Sequence, residues 1–238
     1  MKLISQLTKV LSLLACLMIS TTSVAATDSP VGDWECAVSG ADSGTAYLRF
    51  NDDNTVEGYA LTKFSYGVTT YSGTWSESAG KIIGNTMLTT GESSVEATFT
   101  LTAKTNKSIS GTITGAGKKY NFKGIKLNLE NLSVLPGMFT GTQKQSGYNG
   151  INNFQITETE FPGLFTVEGT VSGVGFSYGY VGWAIIDSKK SIVIYIENEQ
   201  GDESSLVGKF KADGSGTVSG KIREFNSTIS LKFERDQF

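Results

Sequence analysis

The sequence predicts an all-β protein built of two tandem, antiparallel, up-and-down β-barrels. Three observations carry that expectation. First, short motifs recur in order. Phe64-Ser65-Tyr66-Gly67 returns as Phe176-Ser177-Tyr178-Gly179, and Thr55-Val56-Glu57-Gly58 returns as Thr166-Val167-Glu168-Gly169. A repeat of this length marks a duplicated folding unit. Second, the composition favours strands and tight turns. It is rich in Gly, Thr, Ser, Val, Ile, Tyr and Phe, and its only prolines are Pro30, Pro136 and Pro162. Third, apolar and polar residues alternate with a period of two. Val95, Ala97, Phe99, Leu101 and Ala103 alternate with Glu96, Thr98, Thr100 and Thr102, as in a half-buried strand.

Reading turns between such runs gives about eight strands per unit. In the first unit they fall near 32–39, 45–51, 55–62, 68–77, 81–88, 95–104, 108–114 and 118–128. In the second they fall near 137–144, 152–159, 163–171, 176–186, 190–198, 203–211, 216–222 and 225–234. The turns are polar and short: Asp52-Asp53-Asn54, Ser78-Ala79-Gly80, Gly91-Glu92-Ser93 and Thr105-Asn106-Lys107. Short connections make consecutive strands antiparallel neighbours. Ile229, Leu231 and Phe233 alternate cleanly with polar residues, whereas Ile192, Ile194 and Ile196 are interleaved with Val193 and Tyr195, so that strand is apolar on both faces.

Further matches hold the two units in step. Gly32-Asp33-Trp34 aligns with Gly137-Met138-Phe139, Tyr71-Ser72-Gly73 with Tyr180-Val181-Gly182, and Glu92-Ser93-Ser94 with Glu203-Ser204-Ser205. The expected units are 27–131 and 132–238. Eight strands with one apolar face must bury that face, and closing the meander into a barrel does so while removing its edges. Two β-sandwiches, or one sixteen-stranded barrel, are the alternatives.

Residues 1–26 read as a secretory leader. Lys2 and Lys9 precede a short apolar run from Val10 to Ile19, and Ser23-Val24-Ala25-Ala26 is a small-residue exit. An export address follows, periplasmic or extracellular. Leu13-Leu14-Ala15-Cys16 offers a second reading, a lipid-bearing Cys16 on an outer-membrane lipoprotein. After cleavage at Ala26 the chain keeps 18 basic and 23 acidic side chains, a net charge of −5. Nucleic acid is therefore not an expected partner, since it calls for basic patches. Membrane contact is expected only through an anchor at Cys16. Cleavage also leaves Cys36 as the one thiol, so no internal disulfide forms and Cys36 reads as a small buried apolar residue.

The sequence contains no histidine, which removes Ser–His–Asp triads, Cys–His dyads and zinc triads. No glycine-rich phosphate loop precedes a helix. Asp52-Asp53-Asn54 lacks the spacing of a calcium loop and reads as a polar turn. Glu57 and Glu168 are equivalent carboxylates, but each is expected to face solvent in its own unit. Glu197, Glu199, Asp202 and Glu203 read as a solvated hairpin end. No enzyme, metal or cofactor is expected.

Gly32-Asp33-Trp34 resembles the Gly-x-Trp that opens the first strand of lipocalins and related calycin barrels. In that family the tryptophan packs across the barrel floor beneath a late basic residue, a place Lys123 or Lys126 would take. The resemblance implies a cavity for a small apolar ligand. Aromatic residues near the repeated tetrapeptide are the candidate ligand-binding set: Trp34, Phe64, Tyr66, Tyr71 and Trp75 in the first unit, and Phe176, Tyr178, Tyr180 and Trp183 in the second. The competing reading of these aromatics is core packing at a tight corner, with Gly67 and Gly179 in unusual backbone conformations. The expected function is a non-enzymatic binding protein for a small apolar or sugar-like ligand. An extracellular adhesive module that meets another macromolecule is the alternative, and an outer-membrane surface protein the next, since Phe238 is terminal.

Overall fold

The computed structural model describes residues 29–105, 107–127, 136–145, 147–223 and 227–236. The leader, Cys16, the division expected at 131/132 and Phe238 lie outside the described residues. Sixteen strands follow one another, with no helix among the described residues. The first eight are β1 (Gly32–Gly40), β2 (Gly44–Phe50), β3 (Thr55–Thr62), β4 (Thr69–Ser78), β5 (Lys81–Thr90), β6 (Ser93–Thr105), β7 (Ser108–Gly115) and β8 (Lys118–Lys126). The second eight are β9 (Gly137–Gln145), β10 (Tyr148–Glu158), β11 (Leu164–Gly173), β12 (Phe176–Ile186), β13 (Ser191–Asn198), β14 (Glu203–Phe210), β15 (Gly216–Ile222) and β16 (Thr228–Arg235).

Each set of eight is a closed antiparallel up-and-down barrel. β1 closes on β8 with Trp34 opposite Lys126, and β9 closes on β16 with Phe139 opposite Arg235. Closure leaves no free edge, which is why this meander neither splits into two sheets nor merges into sixteen strands. The sandwich and the single large barrel are thereby set aside. Alternation explains the interiors: Ala97, Phe99 and Leu101 are buried while Glu96, Thr98 and Thr100 are exposed. The two-residue turns Ala79-Gly80 and Ala116-Gly117 have positive φ at both positions, the twist a tight hairpin needs. At the Asp52-Asp53-Asn54 turn, the Thr55 N–H donates to Asp53 Oδ1 at 2.9 Å, as a plain polar turn does. Cys36 is fully buried, and burial pushes its thiol up.

The barrels pack side by side through outward-facing residues. Tyr47, Tyr59 and Leu61 of the first meet Leu164, Ile185, Val193 and Tyr195 of the second. This accounts for β13: Ile192, Ile194 and Ile196 fill its barrel, and Val193 and Tyr195 cover the neighbour. Hydrogen bonds cross the seam. The Tyr47 hydroxyl donates to the Ile186 carbonyl, and the Tyr59 hydroxyl to the Pro162 carbonyl. Tyr47→Phe keeps the ring and strands a buried carbonyl. It should cost about 1–2 kcal/mol in chemical denaturation, with an unchanged midpoint counting against this account.

Glu35 is also buried in the seam, where it accepts from the Ser188 N–H and hydroxyl, both at 2.8 Å. Burial pushes its carboxyl above the ordinary glutamate value. The two Ser188 bonds oppose that rise, Asp187 adds to it and Lys189 opposes it. A pKa raised by folding contributes stability that is fully present below the unfolded value and lost as pH rises through the folded one. Thermal midpoints measured from neutral into mildly acid pH should therefore fall less steeply in the native chain than in Glu35→Gln. Parallel curves would sink the assignment.

Candidate functional site

The same structural position is open in the first barrel and filled in the second. Register makes the comparison direct. Gly58 pairs with Tyr71 as Gly169 pairs with Tyr180, and Trp34 pairs with Leu48 as Phe139 pairs with Phe154. Tyr71 and Tyr180 are therefore equivalent, and so are Val38 and Gln143, Ala46 and Asn152, Ala60 and Val171, and Thr69 and Tyr178.

In the second barrel these positions carry a hydrogen-bonded plug. The Tyr180 hydroxyl donates to Asn152 Oδ1 at 2.6 Å. Asn152 Nδ2 donates to Gln143 Oε1 at 3.0 Å, and Gln143 Nε2 to the Tyr178 hydroxyl at 2.9 Å. Asn152 and Gln143 are almost fully buried, and every polar group in this chain of contacts has a partner, as burial demands. Phe176 closes the end, with its ring 4.8 Å from Tyr148 and 6.2 Å from Tyr178.

In the first barrel the equivalents are smaller or apolar, and a cavity of about 290 Å³ opens at the end bearing the β1–β2, β3–β4, β5–β6 and β7–β8 connections. Its wall includes Val38, Leu88, Val95 and Ile113, with Tyr71 and Phe122 packed edge to face below. Phe64, 59% exposed, stands on the rim. Asp42 fixes that rim by accepting from Thr62 Oγ1 at 2.5 Å and from the Phe64 N–H at 3.1 Å. Burial pushes the Tyr71 and Tyr120 phenols up, with the Asp42 carboxylate among the further causes for both. Both hydroxyls thus stay protonated at neutral pH, as donors or acceptors inside an apolar cup.

The opposite end of each barrel carries a buried aromatic ring beneath a basic side chain. Trp34 is fully buried with Lys126 Nζ 4.6 Å from its ring, and Phe139 is fully buried with the Arg235 guanidinium 5.6 Å away. Lys126 Nζ also donates to the Val31 carbonyl at 2.5 Å. Of the two basic residues considered from sequence, Lys126 takes the place over the tryptophan. Gly32 and Gly137 permit this approach, because a Cβ at either would meet the basic side chain within 3 Å.

The nine aromatics singled out from sequence do not form one site. Tyr71 and Phe64 lie at the mouth. Trp34 and Trp75 belong to the packed core, Trp75 edge to face with Phe50. Tyr66 sits in the seam beneath the Arg223 guanidinium. Phe176, Tyr178 and Tyr180 form the plug. Trp183 pairs with Thr166, the equivalent of Thr55 opposite Thr74, so it faces outward into the seam, the reverse of Trp75. The tetrapeptide match is itself displaced by three residues from the structural equivalence. Phe64-Ser65-Tyr66-Gly67 is a connection with Gly67 at φ 140°, whereas Phe176-Ser177-Tyr178-Gly179 is strand and Gly179 has no positive φ. The shared unusual glycine conformation is corrected to Gly67 alone. The mouth residues Val38, Leu88, Val95, Asp42 and Tyr120 escaped sequence reading. Their signal was the contrast Val38 against Gln143, visible once the units are aligned.

Two eight-stranded barrels in tandem, the first open and the second plugged at the same end, define the class of this protein. No family model matches the chain, and no curated protein sequence matches it. Among solved structures it is similar to a redesigned β-barrel (TM-score 0.40, 13% identity, 45% of this chain and 96% of that one). It is similar also to a redesigned β-barrel bound to DFHBI (TM-score 0.41, 10% identity, 44% and 98%). A third similarity is to the isotype 1 transferrin binding protein B from serogroup B Neisseria meningitidis (TM-score 0.30, 8% identity, 82% and 66%). These likenesses are low, and the barrel architecture rests on this chain's own strand pairing.

Proposed function

We propose that this chain is an exported, non-enzymatic binding protein whose first barrel holds a small, mainly apolar ligand in its open mouth. The observation that carries the reading is the paired difference at one place in the fold: Val38, Ala46 and Thr69 where the plug has Gln143, Asn152 and Tyr178. A cup of about 290 Å³ sits at the small end of ligand pockets, roughly 300–1,000 Å³, and suits a ligand of one or two rings. Apolar walls supply affinity, and the Tyr71 and Tyr120 hydroxyls select a ligand with one polar end. The Lys126–Trp34 stack at the floor supports a lipocalin-like reading of this barrel. Export rests on the leader at 1–26.

Native mass spectrometry of the protein purified from its own host tests the proposal. A co-purifying small molecule at one per chain is the expected result. Bare protein in repeated preparations, with no uptake from a host lipid extract, would overturn it.

A further inference from the structure

A second concave site lies outside the first barrel, where the β10–β11 connection overhangs β1–β4. We propose that this cleft, about 450 Å³ and opening away from the mouth with Tyr71 bordering both, binds a neutral saccharide. Its floor is one cross-strand row: Asp33 pairs with Arg49, Arg49 with Glu57, and Glu57 with Ser72. At the usual spacing of about 4.8 Å between strands, that row runs roughly 14 Å. Arg49 is held at its centre, with Nε donating to Asp33 Oδ1 at 2.6 Å, a second nitrogen 3.3 Å from Asp33 Oδ2, and NH1 3.8 Å from Glu57 Oε1.

The roof is aromatic and fixed. Phe161 is 48% exposed, and its ring lies 5.4 Å from that of Tyr59. The Tyr59 hydroxyl donates to the Pro162 carbonyl, and Thr159 Oγ1 accepts from the Phe161 N–H at 3.1 Å. An exposed phenylalanine held this firmly over a polar row is a preorganised surface, which lowers the ordering cost of binding.

The charge pattern chooses the ligand class. An anion would meet Asp33, Glu57 and Glu160. A cation would meet the guanidinium at the middle of the row. A sugar hydroxyl both donates and accepts, so adjacent hydroxyls can donate to the carboxylates and accept from Arg49. The C–H face of a pyranose then covers Phe161, where aromatic surface gives contact at little entropic cost. The row's length suits two sugar rings.

The test is the full chain on an array of neutral and charged glycans. The strongest neutral binder, with maltose and cellobiose alongside, is then titrated against isotope-labelled protein by NMR. Expected are amide shifts centred on Arg49, Glu57, Ser72 and Phe161, with the amide of Tyr120 at the mouth unmoved. Phe161→Ala and Arg49→Gln should each weaken binding about tenfold, the cost of losing one central contact. Phe161 is half exposed but packs on Tyr59 of the seam, so an unchanged thermal midpoint in its variant separates lost binding from a loosened seam. Binding of charged glycans alone, shifts confined to the mouth, affinity unchanged in Phe161→Ala, or no neutral binder on the array would each overturn the proposal. Tyr71 borders both sites, so the two outcomes are read apart at residues that line one alone, Phe161 and Arg49 for the cleft and Val38 and Tyr120 for the mouth.

Discussion

Phe139→Ala should destabilise the second barrel by about 3–5 kcal/mol, the usual cost of deleting a fully buried phenylalanine. Phe139 is fully buried and touches three other phenylalanines. It stacks on Phe154 at 5.1 Å and 15°, and meets Phe210 and Phe233 edge to face at 6.1 and 5.7 Å. The Arg235 guanidinium covers the outer side of the ring, so truncation opens a void and leaves a basic group above it. In a closed barrel the strands cannot slide inward to refill that space, since each is hydrogen-bonded on both sides. Urea titration followed by circular dichroism should show a large fall in midpoint at unchanged slope. Trp34→Phe should be much milder, because phenylalanine already serves at the equivalent place. A Phe139→Ala loss below about 1 kcal/mol would show that the four-ring cluster is not what holds this barrel.

Val38→Gln, Ala46→Asn and Thr69→Tyr together should plug the first barrel and weaken ligand binding by at least about a hundredfold, equivalent to about 2.7 kcal/mol. The three substitutions reproduce Gln143, Asn152 and Tyr178, and Tyr71 already stands where Tyr180 completes the network. The new side chains would occupy the cup and satisfy one another's polar groups. Val38→Gln alone strands an amide and should cost about 1–3 kcal/mol of stability. The triple variant should recover part of that loss, a coupling expected of residues in one network. Native mass spectrometry and thermal unfolding read both effects. A triple variant that folds and still carries the ligand would move the site elsewhere.

The strand pattern was legible because a barrel wall imposes a period of two that the residues repeat. Val95 to Ala103 and Ile229 to Phe233 alternate in sequence and alternate again in burial. The site was less legible for a physical reason. A cup is made by what is missing, and Val38, Ala46 and Thr69 are unremarkable until set against the residues that fill the same space in the second unit. The aromatic set misled because period-two parity decides which side of the wall a ring faces. Trp75 and Trp183 follow matching motifs, yet one residue of register puts the first inside and the second in the seam. The exact repeat of Phe-Ser-Tyr-Gly likewise spans a connection in one copy and a strand in the other.

The sequence by itself determined the number and order of the strands, through local alternation and turn chemistry, the duplication, through motifs that recur in order, and the burial of Cys36, through its being the one thiol left after cleavage. Only the tertiary structure decided that each meander closes on itself, that β13 is apolar twice over because a second barrel leans on it, and that one mouth is open. Those depend on which residues meet across strands far apart in the chain. Gln143, Asn152, Tyr178 and Tyr180 become a plug only when closure brings four strand positions to one point.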